Sequence, residues 1–547
     1  MSAFIAANLA PIMFGALMLF LLSGFPLAFA LSACGLVFGL IGMSFGLLPD
    51  TLFQAIPLRI LGIMQNETML AIPFFTLMGL VLERSGMAEE LLETIGQLFG
   101  PMRGGLALAV IFVGALLAAT TGIIAASVIS MGLISLPIML RYGYSRTVAA
   151  GVITASGTLA QALPPSLVLI VMADQLGVSV GDMYKGAFVP AFMLIGMYVL
   201  YILGLAIFRP HTVPALPPEA ITLREPDGRS GARSTLVLVA LVSTACIVFA
   251  QYYPELKLKY GNTVMPPGGD EVVVVAMLFG LLLSVVIALL NRLLGLGLLS
   301  RMAERVTFVM IPPLALIFLV LGTIFLAIAT PTEGGAMGAV GALLMAFSRR
   351  KMKLRDLIQV LDSTTRLSVF VIFILIGSTV FSFTFNAIDG HLWIEHLFDK
   401  LPGGQLGFLL FVMLVVFILG CFLDYFEIAF IIIPLLAPVA AKMGIDPIWF
   451  GVLLCVNMQT SFMHPPFGFA LFYLRSIAPK SVKSSDIYMG SIPWVVMQLL
   501  LVAVLIFWPG LVTMWLDKPV EVDLDSIHLD IPADNYDQPY NPYGPTE

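Results

Sequence analysis

The chain has 547 residues, of which 59% are hydrophobic and only 11% charged, with a formal net charge of -6 and a mean hydropathy of +1.02. Soluble domains carry about 25% charged residues, so this composition excludes an ordinary soluble enzyme, a disordered chain, a collagen and a disulfide scaffold. Repeated apolar stretches of about 20 residues point to a polytopic, all-α membrane protein.

Apolar segments follow one another over 7–22, 26–48, 67–84, 104–120, 123–140, 147–176, 187–208, 235–252, 271–291, 306–329, 334–348, 366–386, 408–422, 425–441, 448–475 and 490–516. Residues 104–140 are interrupted at Thr120-Thr121-Gly122, and residues 408–441 at Asp424. Each pattern predicts a helical hairpin that enters the membrane and turns back, which is tolerated only where protein or a wet cavity covers the turn. The Pro-rich segment 209–233 marks a boundary, and 235–252 and 271–291 read as two inserted helices. The organisation is then a first half (1–208), a linker with the inserted helices (209–305), a second half (306–516) and an acidic tail (517–547) expected to be solvated and disordered. Cys34, Cys246, Cys421 and Cys455 all lie in apolar runs without a CxxC pair, and read as membrane-core residues. The N-terminus lacks the basic n-region of a signal peptide.

Basic residues set the orientation. The richest cluster, Arg349, Arg350, Lys351, Lys353 and Arg355, is placed in the cytoplasm. Alternating the spans outward, with both hairpins returning to their starting side, also puts Arg84, Arg103, Arg141, Arg146 and the 209–233, 292–305 and 475–483 loops inside. The N-terminus and the acidic tail fall outside.

The two halves echo each other. Pro137, Gly143, Pro164 and Pro165 recur 301 residues later as Pro438, Gly444, Pro465 and Pro466. After a three-residue slip, Asp182-x-Tyr184-x-Gly186 recurs as Asp486-x-Tyr488-x-Gly490. The flanking loops fall on opposite sides, which predicts an inverted-topology repeat, a layout of many secondary transporters.

In such proteins binding sites form where helices break near the midplane. Two matched breaks stand in the sequence: Ser156-Gly157-Thr158 through Gln161, Pro164, Pro165 and Ser166, and Asn457 through Gln459, Thr460, Ser461, His464, Pro465, Pro466 and Gly468. A Pro-Pro pair removes two N–H donors, so carbonyls on the preceding turn are expected to be free. With neighbouring hydroxyls, they offer Na+ the hard oxygen donors it needs. Asp424 is either a functional carboxylate or a helix N-cap, and Glu427 is a weaker version of the same case. Thr332 and Glu333 form a third polar island, either cavity residues or the first turn of a helix. His464 reads as a packing residue more readily than as a titrating one. There is no GxxxxGK[ST], HExxH or GxSxG, so the chain carries no ATPase of its own and no sign of an enzyme.

The motifs Gly24-Phe-Pro26, Ile72-Pro73-Phe-Phe-Thr-Leu-Met-Gly79, Ala155-Ser156-Gly157-Thr158 with Pro164-Pro165-Ser166, Thr330-Pro331-Thr332-Glu333, Gly444-Ile-Asp446-Pro447-Ile-Trp449-Phe-Gly451 and His464-Pro465-Pro466-Phe-Gly468 resemble the large membrane subunit of the tripartite ATP-independent periplasmic (TRAP) transporters over about residues 10–515. The resemblance implies a Na+-driven, elevator-type permease, with a mobile transport domain moving against a scaffold, in a bacterial or archaeal inner membrane. It implies a small four-helix membrane subunit and a periplasmic substrate-binding protein as partners, small organic acids as substrates, and neither a cofactor nor a nucleic acid. Residues near Thr120, Thr121, Gly122 and Ser156–Thr158 would frame one Na+ site, and Asp424 with Asn457–Ser461 the other. The family's first tip usually reads like Ser-Gly-Ser-Ser. Here it is Thr121-Gly122-Ile123-Ile124, which shifts ion coordination toward carbonyls. The tip and the His464-Pro-Pro run resemble a branch associated with 2-oxo acids. The alternative is a stand-alone elevator-type carboxylate or ion transporter that needs no binding protein.

Overall fold

A computed structural model describes residues 4–5, 8–122, 124–221, 223, 231–260, 267–295, 297–349, 352–465 and 467–516. The side chains of Leu22, Thr120, Thr121, Ala232, Tyr260, Asp270 and Asp399 fall outside that description, as do Ile123, Arg350, Lys351, Pro466 and the acidic tail. Among the described residues the regular structure is entirely helical.

The first half contains α1 (Leu9–Leu22), α2 (Leu27–Ser44), α3 (Ile56–Met64), α4 (Ala71–Arg84), α5 (Met87–Phe99), α6 (Gly105–Thr121), α7 (Ile124–Arg141), α8 (Arg146–Thr158), α9 (Leu167–Leu176) and α10 (Val180–Phe208). The inserted pair is α11 (Ala232–Tyr260) and α12 (Gly269–Leu294). The second half contains α13 (Arg301–Phe325), α14 (Pro331–Ser348), α15 (Leu354–Ala387), α16 (Gly390–Asp399), α17 (Gly404–Leu419), α18 (Tyr425–Lys442), α19 (Pro447–Ser461), α20 (Phe469–Ile477), α21 (Ser484–Phe507) and the short α22 (Gly510–Thr513). Among the described residues nine helices are long and apolar enough to cross a membrane, or ten if the bent pair around α3 and α4 is one span.

The helices are held by contacts that recur across the two halves. α2 packs on α15, and α4 packs on α14. Glycines bring the first of these crossings close. A Cβ on Gly35 would fall 2.7 Å from the Val380 carbonyl oxygen, and one on Gly377 would fall 2.6 Å from that of Ala28. Small residues allow such backbone approach where lipid supplies no hydrophobic driving force between helices. The same exchange holds deeper in the protein, where α9 packs on α18 and α20 packs on α7. Each outer half of a broken helix therefore leans on the other half's hairpin.

Two amphipathic helices tie the periphery together. α5 packs on α6 and α13. It is ion-paired through Glu93 to Arg305 at 3.0 Å and through Glu90 to Arg349. α16 packs on α15 and α1, and its Glu395 meets Lys442 of α18 at 2.8 Å. That hydrogen bond holds the Glu395 carboxyl below its ordinary pKa.

Candidate functional site

The apolar segments 147–176 and 448–475 are broken beside their Pro-Pro pairs, whereas Pro312-Pro313 lies inside the continuous α13. α8 ends at Thr158, a 3-10 turn spans Leu159–Gln161, and α9 starts after Pro164-Pro165-Ser166. The expected free carbonyls here are partly occupied. Ser166 Oγ donates to the Ala160 carbonyl at 2.8 Å and to that of Gln161 at 3.2 Å, and accepts from Val168 N as the N-cap of α9. One hydroxyl thus closes the turn that the prolines open. In the second break α19 ends at Ser461 and α20 begins at Phe469. There the Phe462 carbonyl accepts from Ala470 N at 3.1 Å, and that of His464 from Gly468 N at 2.8 Å.

The hairpins close over these breaks. Gly122, at φ +59°, caps α6 in the left-handed region that glycine tolerates. A Cβ there would sit 3.3 Å from Leu167 N, so the first tip rests on the start of α9. Farther down the same arm, a Cβ on Gly114 would fall 2.4 Å from Ser156 Cβ, and one on Gly157 would fall 2.4 Å from Val128 of α7. In the second half, a Cβ on Gly420 would fall 2.3 Å from Ser461 Cβ. Asn457 Nδ2 donates to the Met413 carbonyl of α17 at 2.8 Å. The side-chain oxygens of Thr460 and Ser461 turn back onto the Asn457 carbonyl at 2.5 and 3.4 Å.

Asp424 is the N-cap of α18. Its Oδ1 accepts from Tyr425 N at 2.7 Å, and Glu427 Oε2 accepts from Asp424 N at 2.8 Å in a capping box. The same Asp424 lines a cavity of about 190 Å³ that the two tips and the two breaks enclose. Six of its twelve wall residues come in pairs 301 residues apart: Ile124 with Tyr425, Ala125 with Phe426, and Gln161 with Phe462. Gly122 completes the lining of the first tip.

The structure therefore brings Gly122, Gln161 and Asp424 to one cavity. Ser156, Gly157, Thr158, Asn457, Gln459, Thr460 and Ser461 lie behind it, all buried. Gln459 Nε2 and Thr158 Oγ1, again 301 residues apart, are 3.5 Å from one another. Ser156 Oγ, Gln161 Oε1 and Gln459 Oε1 are buried without a hydrogen-bond partner. Buried polar atoms are rarely left unpaired, and these three cluster at the breaks. Pro164 and Pro165 are buried in the first crossing.

Other candidates lie elsewhere. His464 stands edge-on to Phe417 at 4.8 Å and meets Cys421 at 3.5 Å, a packed position on the end of α17. Pro465 and Gly468 stay in the second crossing, apart from the cavity lining. Pro466 and the Thr120 and Thr121 side chains lie outside the described residues. Thr332 and Glu333 do not join the breaks. Thr330 and Glu333 form the capping box of α14, and Thr332 Oγ1 donates to the Glu67 carbonyl at 2.5 Å. Sequence reasoning missed Phe462 and Tyr425 as cavity walls, although the 301-residue offset points to them from Gln161 and Ile124. It also missed Gln498, a lone amide in an apolar span, which donates to Tyr198 OH at 2.7 Å.

Paired helix breaks and facing hairpins around a mainly apolar cavity that carries Gln161 and Asp424 are the layout of a multi-pass membrane transporter of the broken-helix class. The comparisons give the family. The chain belongs to the tripartite ATP-independent periplasmic transporters, DctM component, whose family pattern matches residues 14–511. It is similar to the C4-dicarboxylate TRAP transporter large permease protein DctM of Pseudomonas aeruginosa, with 27% identity covering 84% of this chain and 89% of that protein. The DctM protein of the same description from Rhodobacter capsulatus is 26% identical, covering 91% and 97%. Among solved structures, the Alcanivorax borkumensis YdaH transporter aligns at a TM-score of 0.48 with 14% identity, over 85% of this chain and 90% of that one.

Proposed function

We propose that this chain is the permease of a tripartite, Na+-driven importer of small organic acids in a bacterial inner membrane. A periplasmic binding protein delivers the substrate, and a small membrane subunit joins the scaffold. The hairpins and broken helices form the part that moves. The observation that carries this reading is the cavity between both tips and both breaks, lined in part by residues 301 apart. The names of the relatives support carboxylates as the first substrate class to test, C4-dicarboxylates by those names and 2-oxo acids by the motif resemblance. Gly122, Gln161 and Asp424 would meet the substrate. Ser156 and Thr158 on one side, and Asn457, Thr460 and Ser461 on the other, supply the oxygens that support two Na+ positions. Among the described residues no cluster of three His, Cys, Asp or Glu side chains offers a transition-metal site, whereas hydroxyls and carbonyls suit a hard monovalent cation.

The test is uptake of radiolabelled succinate and pyruvate into proteoliposomes under an imposed Na+ gradient, with and without the small subunit and binding protein. Uptake that requires both partners and collapses when K+ replaces Na+ is the expected result. Uptake by the chain alone would establish the stand-alone alternative, and indifference to Na+ would remove the ion sites.

A further inference from the structure

A second cavity, of about 230 Å³, lies between α3, the end of α9, α15 and α18. Its polar lining is Arg59, Gln175, Ser378, Thr379, Ser382 and Asn386. Among the described lining residues none is Asp or Glu. The Arg59 guanidinium stands 4.6 Å over the Phe383 ring. Among the described residues it has no carboxylate partner. Ser382 Oγ is buried without a hydrogen-bond partner. The nearest acid in sequence, Asp174, does not line the cavity but is hydrogen-bonded to the lining residue Gln175 and to Asn66. Its two oxygens accept from Asn66 Nδ2 at 2.7 Å and Gln175 Nε2 at 3.0 Å.

The position of this cavity gives it a meaning. Three helices line both it and the central cavity. α9 contributes Val168 to the central cavity and Gln175 to the second one. α15 contributes Leu367 and then Leu375, and α18 contributes Tyr425 and then Pro434. These separations are seven, eight and nine residues, or about 10 to 14 Å along each helix. The second cavity is therefore stacked on the central one, two to three turns along the same three helices. In the orientation set by the basic loops, that direction points outward.

We propose that this cavity is a vestibule site for a small carboxylate, reached before the central cavity. An unpaired guanidinium forks onto a carboxylate with two parallel N–H donors. The Ser382 hydroxyl and the Asn386 amide supply further donors, and the absence of acid from the wall leaves the positive charge uncancelled. An aromatic face under the guanidinium fixes its plane. The site rests on the carboxylate reading of the function, but it has its own measurement.

That measurement is binding of succinate and pyruvate to the full-length chain in phosphatidylcholine nanodiscs. Wild type is expected to bind two equivalents. Arg59→Gln loses one and Arg59→Lys binds it about tenfold more weakly, whereas Gln161→Leu weakens the other. In uptake by the full assembly, Arg59→Gln raises the carboxylate concentration for half-maximal rate about tenfold with the maximal rate retained. Equal stoichiometry and affinity in wild type and Arg59→Gln overturn the site, even if uptake is normal and the functional reading stands. Arg59-dependent binding in a chain that imports neither acid sinks the functional reading and keeps the site. If phosphatidylglycerol nanodiscs displace the Arg59-dependent equivalent while carboxylates do not, the site belongs to a lipid headgroup and the proposal fails. It fails likewise if Arg59→Gln changes only the binding-protein concentration needed for uptake.

Discussion

At the first break the chain crosses from α8 to α9 entirely inside the protein. Ala162, Leu163 and Ser166 are buried, and Ser166 ties the crossing to the carbonyls before it. At the second, His464 and Pro465 are half-buried, and Phe467 is 47% exposed. The tips differ in the same sense. The first turns on a glycine, whereas the second carries Asp424 and Glu427 in a capping box. The wall residues related by the repeat also differ in kind, since Gln161 faces the cavity where the other half offers Phe462. The packing of α9 on α18 and of α20 on α7 is thus alike, whereas the chemistry of the two breaks differs. The packing is shared between halves; the polarity of the cavity belongs to particular residues of one or the other.

The sharpest way to break this comparison is at the crossings between the halves. A Cβ on Gly490 would fall 2.2 Å from the Thr147 carbonyl oxygen, whereas one on Gly186, its counterpart, would fall 2.7 Å from Ile448 Cγ2. Backbone cannot retreat and a side-chain tip can. Gly490→Ala should therefore destabilise by roughly 3 kcal/mol or more, and Gly186→Ala by about 1 kcal/mol, as read by thermal unfolding in detergent. Equal losses would mean that the two crossings are equally stiff and the asymmetry stops at the cavity.

Next in size is the second tip. Asp424→Ala removes an N-cap and should lose about 1 kcal/mol of stability together with uptake. Asp424→Asn keeps the cap and removes only the charge. Native stability with uptake reduced tenfold or more is expected for Asp424→Asn; native uptake would reduce Asp424 to a helix cap. At the first break, Gln161→Leu deletes an amide whose Oε1 is buried and unpaired. Its stability should be unchanged or up by about 1 kcal/mol while uptake falls. A drop in melting temperature would show that the amide is already satisfied in the resting protein.

Much of this was legible because proline and glycine act locally. Pro164-Pro165 and Pro465-Pro466 mark the two breaks, although Pro312-Pro313 stays inside the continuous α13, and the 301-residue offset pairs residues that meet in space, as Thr158 and Gln459 do. What sequence reasoning missed has a physical reason too. α3, α5 and α16 are short of a membrane span, and Arg59 in α3, Glu89, Glu90 and Glu93 in α5 and Glu395 in α16 interrupt their apolar runs. α10 begins at Val180, not near 187, because Asp182 and Lys185 in its first turns hide the helix from a hydropathy reading. The Ser166 hydroxyl filled carbonyls that proline chemistry alone leaves free. For Thr332 and Glu333 the sequence left a cavity role and a helix start both open, and the geometry is that of the helix start.

The smallest expected effect concerns the exposure of the second break. Phe467 in the crossing and Phe422 at the second tip lie 5.5 Å apart, and both are about half exposed. They form an aromatic contact between a hairpin and the break it covers, and the first half has no counterpart to it in kind, since Thr121 and Ser166 occupy the equivalent positions. An exposed aromatic pair contributes at the low end of about 0.5 to 1.5 kcal/mol, so Phe467→Ala should shift unfolding by a degree or two at most. Its effect on access should be larger than its effect on stability. If the second tip opens away from the break, weakening this contact raises labelling by a membrane-impermeant thiol reagent of a cysteine placed at Phe426 on the cavity wall. The matching cysteine at Ala125, on the first tip, should label no faster in the Phe467→Ala background. Equal acceleration at both positions would show that the two tips open together, and the difference between the breaks would then be one of chemistry without a difference in motion.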